Sequence, residues 1–472
     1  MTERLPMPPD SAALVIRRHM EGHQGPLYRG IVEAIRLAIE SGDLQDGDRL
    51  PPQRQLAAVL KLDLTTVTRA FNEARHLGLL QAVVGRGSFV RSGASARLWR
   101  EGGRALIDMT MNLPPPLEDP SLKRLVQEGM ASLLRRQEVG GLMSYRSTAG
   151  TPEERAAGAA WLRPVLGRRG PVEVLVAPGA QAALLALLST LARPGDAVLA
   201  ERCAYPGLRA VAAQLGLVLV GVVMDGEGLV PEALDRACRD HAPRLVCCTP
   251  CIQNPTTATM SLARREAVLE VARRHGVMVV EDDPYALLPE HPLPALARLD
   301  PRRVFHLATV SKVLSPGLRT AFLAVPDEGW AERMTAALRA VAMMAPGLLT
   351  GLVHQWISGG QAEALLRGVR REMTARQAMA HTVLGEAAEA HPQGLHLWLR
   401  LPAHWPSAAF AAHLRRQGLA VVPSEAFAVE GEAPLRARLA LGPATDRALL
   451  RHSLEMVAGV LQRDPHRDAV VV

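Results

Sequence analysis

Val277-Met278-Val279-Val280-Glu281-Asp282-Asp283-Pro284-Tyr285 is the stretch on which the reading of this 472-residue chain turns. Its apolar, β-branched run fits a strand buried on both faces, which alternation alone would not give. The acids and tyrosine after the run would project from the strand's C-terminal end. Similar runs at 172–177, 197–199, 218–223, 245–248 and 304–309 are separated by helical patterns, at 181–191 and 207–215 among others. That alternation predicts an α/β layer with a mostly parallel sheet.

Working outward, Asn254-Pro255 precedes the stretch, and Ser311-Lys312 and Arg319 follow it. Together these side chains suit an aldehyde-bearing pyridine phosphate. An unprotonated Lys312 can form a Schiff base. Asp282 can keep a pyridine nitrogen protonated, which makes the ring an electron sink. Tyr285 and Asn254 can donate to a phenolate oxygen, and Arg319 can clamp a phosphate with two N–H groups. Gly179-Ala180-Gln181 falls where a strand passes into a helix, whose free N–H groups favour phosphate. Tyr205, in Ala204-Tyr205-Pro206-Gly207, could lie flat on the ring. Singly, each has an ordinary structural reading, such as a helix cap, a turn aromatic or a surface charge. Their joint order and spacing make chance a poor explanation.

Residues 106–460 resemble the fold-type I, class I/II aminotransferases on these positions. The resemblance implies pyridoxal 5'-phosphate bound as an internal aldimine on Lys312, with Asp282 at the ring nitrogen. It makes Tyr285 and Asn254 the phenolate partners, Arg319 a phosphate ligand and Tyr205 the stacking ring. Tyr145, five residues before Gly150, matches a tyrosine that reaches the neighbouring subunit's phosphate, which implies a dimer. Arg438 matches the arginine that grips a substrate carboxylate, although Arg436 would face the same side of a strand. Two positions depart from the pattern. Thr257 replaces a usual glycine and is expected to alter a loop's tightness, and Ile252 replaces a polar residue and is expected to alter substrate access.

A different pattern occupies the first hundred residues. Apolar residues at helical spacing predict helices over 27–40, 53–60 and 65–76, and residues 79–84 and 87–90 read as a β-hairpin. Between residues 64 and 98, Arg69, Arg75, Arg86, Arg91 and Arg97 meet a single acid, Glu73. A helix-turn-helix followed by a wing places the start of its second helix in a major groove. Thr65, Thr66, Thr68 and Arg69 are then the candidate base readers. Arg54 and Arg86 suit phosphate or minor-groove contact. From periodicity alone, a small helical domain with a solvated basic face fits equally well.

The ordered set Leu27-Tyr28, Gly47-Asp48-Arg49-Leu50-Pro51, Arg54, Thr66-Val67 and Gly85-Arg86-Gly87-Ser88-Phe89-Val90 closely resembles the GntR-type winged helix. Leu64 stands where many members have arginine. Both halves together resemble the MocR subfamily of GntR regulators. The expected architecture is an α+β winged helix over 20–91, a linker over 92–105 and an aminotransferase-like domain over 106–465. The last would hold a large, mostly parallel sheet and a small C-terminal α/β subdomain. The resemblance implies double-stranded operator DNA and a small amine or amino-acid effector as partners, and a head-to-tail homodimer. The effector would exchange with the Lys312 linkage and be held by Arg438. A working aminotransferase with an accessory DNA-binding domain, or a regulator sensing pyridoxal phosphate itself, are the alternatives.

Composition agrees with a globular chain, at 48% hydrophobic and 21% charged residues with a net charge of +7. The first residues lack the apolar core of a signal peptide, and no apolar run approaches the roughly 20 residues that span a bilayer. A cytoplasmic protein is therefore expected. Five cysteines make no disulfide framework. Cys248 and Cys251 have a spacing that zinc or redox chemistry can use, but no second pair completes a site. Small buried core residues are the better reading, and no metal is expected.

Overall fold

The computed structural model describes residues 9–20, 25–41, 43–45, 47–76, 79–83, 87–90, 98–101, 104–119, 121–136, 138–167 and 173–463. The chain divides into two compact units, Met1–Asp108 with Ala444–Met456, and Met109–Pro443 with Val457–Val472.

In the first unit, helices Leu27–Glu40, Gln53–Leu60 and Leu64–His76 precede a hairpin of Leu80–Val83 and Gly87–Val90. Ile31, Ala34, Ile35 and Ala38 recur at three and four residues, so one helical face carries all four into the core. Leu56, Val67, Phe71 and Val90 close that core from the other elements. Residues 47–50 run beside the wing, where the Leu50 amide donates to the Ser88 carbonyl at 2.9 Å.

The domain also holds a helix outside the expected 20–91 span. Pro9–Met20 buries Ala12, Ala13 and Ile16 in the same core. These few residues at helical spacing are its only sequence signal. The expected linker is not wholly irregular either, since Leu98–Glu101 pairs antiparallel with Arg104–Asp108. The Ser- and Gly-rich composition of the stretch obscures these two short runs.

The second unit is built on a seven-stranded sheet. Its strand order is Glu173–Ala177, Ala321–Val325, Val304–Thr309, Met278–Asp282, Leu245–Cys248, Ala197–Glu201, Val218–Val222. All neighbours are parallel except those of Ala321–Val325, which runs antiparallel to both of its own. Leu245–Cys248 and Val304–Thr309 are buried at every residue, because helices cover both faces of such a sheet. A smaller antiparallel sheet of Ala388–Ala390, His396–Arg400, Arg436–Ala440 and Val422–Pro423 forms the C-terminal subdomain.

All five cysteines are buried and free. Burial pushes the thiols of Cys247, Cys248 and Cys251 well above their usual range, consistent with small core residues. Thr257 adopts the left-handed conformation (φ 64°) that favours glycine, and its amide still bonds the Gln253 carbonyl at 2.7 Å. The loop thus stays tight despite the missing glycine. Ile252 is also left-handed (φ 48°) and wholly buried. It is absent from the wall of the cavity described below, so it does not control access as expected.

Candidate functional site

Parallel strands end together on one edge of a sheet, and ligands of open α/β folds bind outside that edge. Here a cavity of about 400 Å³ opens there, lined by Thr249, Asp282 and Thr309 from three neighbouring strand ends and by Lys312 from the turn after the third. Asp282 is the last residue of its strand. Burial pushes its carboxyl up to about 6, against the opposing pull of Lys312 and His306. Lys312 closes a short 3-10 turn after the next strand, and its Nζ donates to the Asn112 carbonyl at 2.9 Å. Burial, then the nearby Arg438 charge, pushes the ammonium down to about 8, while Asp282 opposes the shift.

Tyr285 is buried, and its hydroxyl accepts from Asn112 Nδ2 at 2.7 Å. Burial pushes this phenol up to about 12. Asn254 precedes Pro255 across a cis peptide bond, and its Oδ1 accepts from Arg438 Nη1 at 2.8 Å. Tyr205 stands at the mouth, 40% exposed, just before the helix Pro206–Gln214.

Gly179 caps the helix Ala180–Leu191 with φ 102°, and Ala180 and Gln181 line the cavity. A Cβ on Gly179 would lie 2.8 Å from Arg319 Nη2, so only glycine lets the guanidinium reach the helix start. Arg319 Nη2 also donates to the Pro178 carbonyl at 3.3 Å. Ser311 is adjacent but off the cavity wall, its hydroxyl accepting from Thr309 at 2.9 Å. Tyr145 also lies off that wall and is 84% exposed.

These groups fit a phosphorylated pyridine aldehyde. The start of Ala180–Leu191, with the Arg319 guanidinium beside Gly179 but just off the cavity wall, would meet the phosphate, Asp282 would meet a ring nitrogen and Lys312 the aldehyde. Gln181 Oε1 and Asn112 Oδ1 are buried with no partner among the described residues, as expected of a wall built to meet a polar ligand. Gly179→Ala should therefore displace Arg319 and weaken cofactor binding by about tenfold or more, read by fluorescence titration. Strain at that backbone position alone is of order 1–3 kcal/mol.

The strand Arg436–Ala440 carries both candidate arginines. Arg438 is buried on the cavity wall, bonded to Asn254 and to the Thr110 carbonyl, with its guanidinium 5.0 Å from the Phe427 ring centroid. Arg436 pairs with Glu389 at 2.7 Å and lines a second, more open cavity of about 1160 Å³. Trp398 lines the larger cavity and Phe427 the smaller. The two rings pack edge to face at 5.9 Å and separate the cavities. Of the two, only Arg438 reaches the space beside Lys312.

Sequence reading missed Asn112, Gln253, His396 and Phe427, which no local motif marks. It also missed a buried group under Asp282, in which Glu281, Asp283 and His306 bring possible ligand atoms within 4.8 Å of one another. Glu281 is already engaged by the Leu296 and Ala297 amides and by His306 Nδ1.

In the winged helix, Arg54 and Thr65 are exposed and Thr66 is half-buried. Thr68 is engaged within the domain, donating to Gln53 Oε1 at 2.8 Å and tying the two helices together. Arg69 lies with its guanidinium carbon 3.9 Å from the Tyr28 ring centroid, which fixes its direction. Arg86 lies outside the described residues. No helix among the described residues is long and apolar enough to cross a membrane.

Residues 27–90 match the family of bacterial regulatory proteins of the gntR type, and residues 106–457 match aminotransferase class I and II. The HTH-type transcriptional regulator YdeF of Bacillus subtilis is 32% identical over 87% of this chain and 89% of its own. The vitamin B6 salvage pathway transcriptional repressor PtsJ of Salmonella typhimurium is 32% identical over 86% of this chain and 92% of its own. Among solved structures, the α-aminoadipate aminotransferase LysN of Thermus thermophilus, complexed with N-(5'-phosphopyridoxyl)-L-leucine, superposes with a TM-score of 0.69. It is 27% identical and covers 78% of this chain and 96% of that one.

Proposed function

We propose a sensing role for this chain, which belongs to the MocR subfamily of GntR transcriptional regulators and carries an aminotransferase class I and II domain behind its winged helix. The domain holds pyridoxal 5'-phosphate, and an amine or amino acid bound there alters operator affinity. The supporting observation is the convergence of Lys312, Asp282, Tyr285, Asn254 and Arg438 on one buried cavity. The ligand of LysN, a phosphopyridoxyl amino acid, belongs to the same chemistry.

When bound, the cofactor supplies an aldehyde carbon that bonds an amine and a ring that withdraws electrons. Asp282 holds a proton at the ring nitrogen. Tyr285 orients the ring through its phenolic oxygen. Arg319 and the start of Ala180–Leu191 would bind the phosphate, and Tyr205 would lie against the ring. Lys312 would be the amine that an effector amine replaces, and Arg438 would receive the effector's carboxylate. A ligand shifts a conformational equilibrium only by its difference in affinity for the two states. Release of Lys312 and a new contact at Arg438 would supply that difference. Titrating operator DNA with and without pyridoxal phosphate and candidate amines tests the reading. Affinity that no amine changes would sink it.

The winged helix supplies the output, on double-stranded operator DNA in the cytoplasm. Arg54→Ala is expected to weaken binding evenly across operator sequences. It should also lower the slope of log affinity against log salt by about one. Fluorescence anisotropy at several salt concentrations measures both. The exposed Tyr145 suits a place near a second subunit's phosphate in a head-to-tail homodimer, which light scattering and crosslinking test.

Two observations favour other outcomes at the same site. Asp282 and a Lys312 that is in part unprotonated near neutral pH are what transamination requires, and sustained turnover with an amino acid and an oxo acid would make the chain an enzyme as well. PtsJ is named as a repressor of vitamin B6 salvage, and a regulator of that supply could take pyridoxal phosphate itself as its signal. An operator response to pyridoxal phosphate without any amine would select that version.

A further inference from the structure

Asn112 touches both reacting groups of the cavity. Its backbone carbonyl accepts from Lys312 Nζ at 2.9 Å, while its side-chain Nδ2 lies 2.7 Å from the Tyr285 hydroxyl and 3.0 Å from His396 Nδ1. His396 is wholly buried, with its other nitrogen, Nε2, 3.2 Å from the Gln253 carbonyl. A carbonyl can only accept, so Nε2 carries the hydrogen. Burial, then the charges of Arg438 and Lys312, pushes this imidazole down to about 3, so the ring is neutral at working pH. The Tyr285 ring, tilted 47° with its centroid 5.7 Å away, also faces it.

Nδ1 is then an acceptor, and only the NH2 end of the Asn112 amide can satisfy it. The amide's orientation follows, because Asn112 Oδ1 has no partner among the described residues to compete for it. The second Nδ2 hydrogen goes to the Tyr285 oxygen. Tyr285 therefore accepts from Asn112, and its own hydrogen has no acceptor among the described residues. The ring lines the cavity, so that hydrogen is left for whatever occupies it.

We infer that His396 and Asn112 are positioning residues that set the polarity of the Tyr285 hydroxyl. Gln253 fixes the tautomer of His396, His396 fixes the amide of Asn112, and Asn112 leaves Tyr285 to donate to the phenolic oxygen of the pyridoxal ring. Were the amide reversed, Tyr285 would donate to Asn112 Oδ1 and the ring would lose its donor. The inference rests on the cofactor reading above.

The test uses the full-length protein reconstituted with pyridoxal phosphate. Borohydride reduction and peptide mass first establish whether the cofactor is joined to Lys312. The pH midpoint of the bound cofactor's visible band is then measured. A donor stabilises the negative phenolic oxygen, which otherwise retains the proton it shares with the neighbouring nitrogen. His396→Leu, which offers Asn112 no acceptor, should move the midpoint up by about one pH unit. His396→Gln keeps an acceptor oxygen and should stay near wild type. Asn112→Asp, which cannot donate and would take the Tyr285 hydrogen, should shift upward and carries the test if the histidine variants fail to fold. Equal midpoints for His396→Leu and His396→Gln, or an unmoved midpoint for Asn112→Asp, would overturn the inference. A wild type that forms no reducible bond defeats the cofactor reading instead, which is a distinct result.

Discussion

Lys312→Ala should remove every trace of borohydride-fixed cofactor and leave operator affinity unchanged by any amine that shifts wild type. The reason is chemical, since no other amine among the described residues lines the cavity. The variant can still hold the phosphate and ring noncovalently through Arg319 and Asp282, so cofactor retention alone is not the readout. Covalent capture and effector response are. An amine response equal to wild type in the variant would show that the signal does not pass through Lys312.

The pH dependence follows from the environment of the same residue. Only a neutral amine attacks an aldehyde, and burial together with Arg438 holds Lys312 near 8. The capture rate in wild type should rise about tenfold per pH unit up to about pH 8 and then level off. An ordinary lysine would keep accelerating toward about 10.4. Stability of the cofactor-free protein carries the same sign. Between about 8 and the unfolded value, the unfolded chain holds a proton that folded Lys312 has released, so folding gains stability as pH rises through that window. Below about 8 the cost of the buried ammonium is felt in full. Denaturant titrations of wild type and Lys312→Ala across pH 7–11 should differ by this increment.

Arg438→Gln is expected to have the second large effect. Truncating one partner of a buried, hydrogen-bonded charge pair costs about 2–5 kcal/mol, or roughly thirty-fold to several thousand-fold in affinity. The loss should fall on effectors that carry a carboxylate, and simple amines should lose far less. Calorimetry with an amino acid and with its decarboxylated amine separates the two. Asn254 and the Thr110 carbonyl also lose their partner in this variant, so some loss of stability accompanies it. Equal losses for both ligands would remove Arg438 from effector recognition.

The site was legible where a residue's type is dictated by the chemistry it must do. Lys312, Asp282, Tyr285 and Arg319 lie within about forty residues, at a strand end or in the connection between two strands, and spacing alone could bring them together. Arg436 and Arg438 were not separable, because alternate residues of a strand share a face. Glu389 on a different strand draws Arg436 toward the larger cavity and leaves Arg438 to the smaller. Thr68, a candidate base reader by position, is engaged by Gln53 of the preceding helix, which helical periodicity could not show.

By itself the sequence determined the two kinds of domain and predicted the strand-end residues, Lys312 among them, that the fold brings to one cavity. Each of these depends on apolar periodicity or on local spacing. The tertiary structure decided which arginine faces Lys312, which threonine is engaged and how the Tyr285 hydroxyl is directed. Asn112 meets Tyr285 across 173 positions and His396 across 284, and His396 meets Gln253 across 143. Hydrogen-bond polarity is settled by three-dimensional neighbours, and neighbours so distant in the chain leave no periodic or local trace in it.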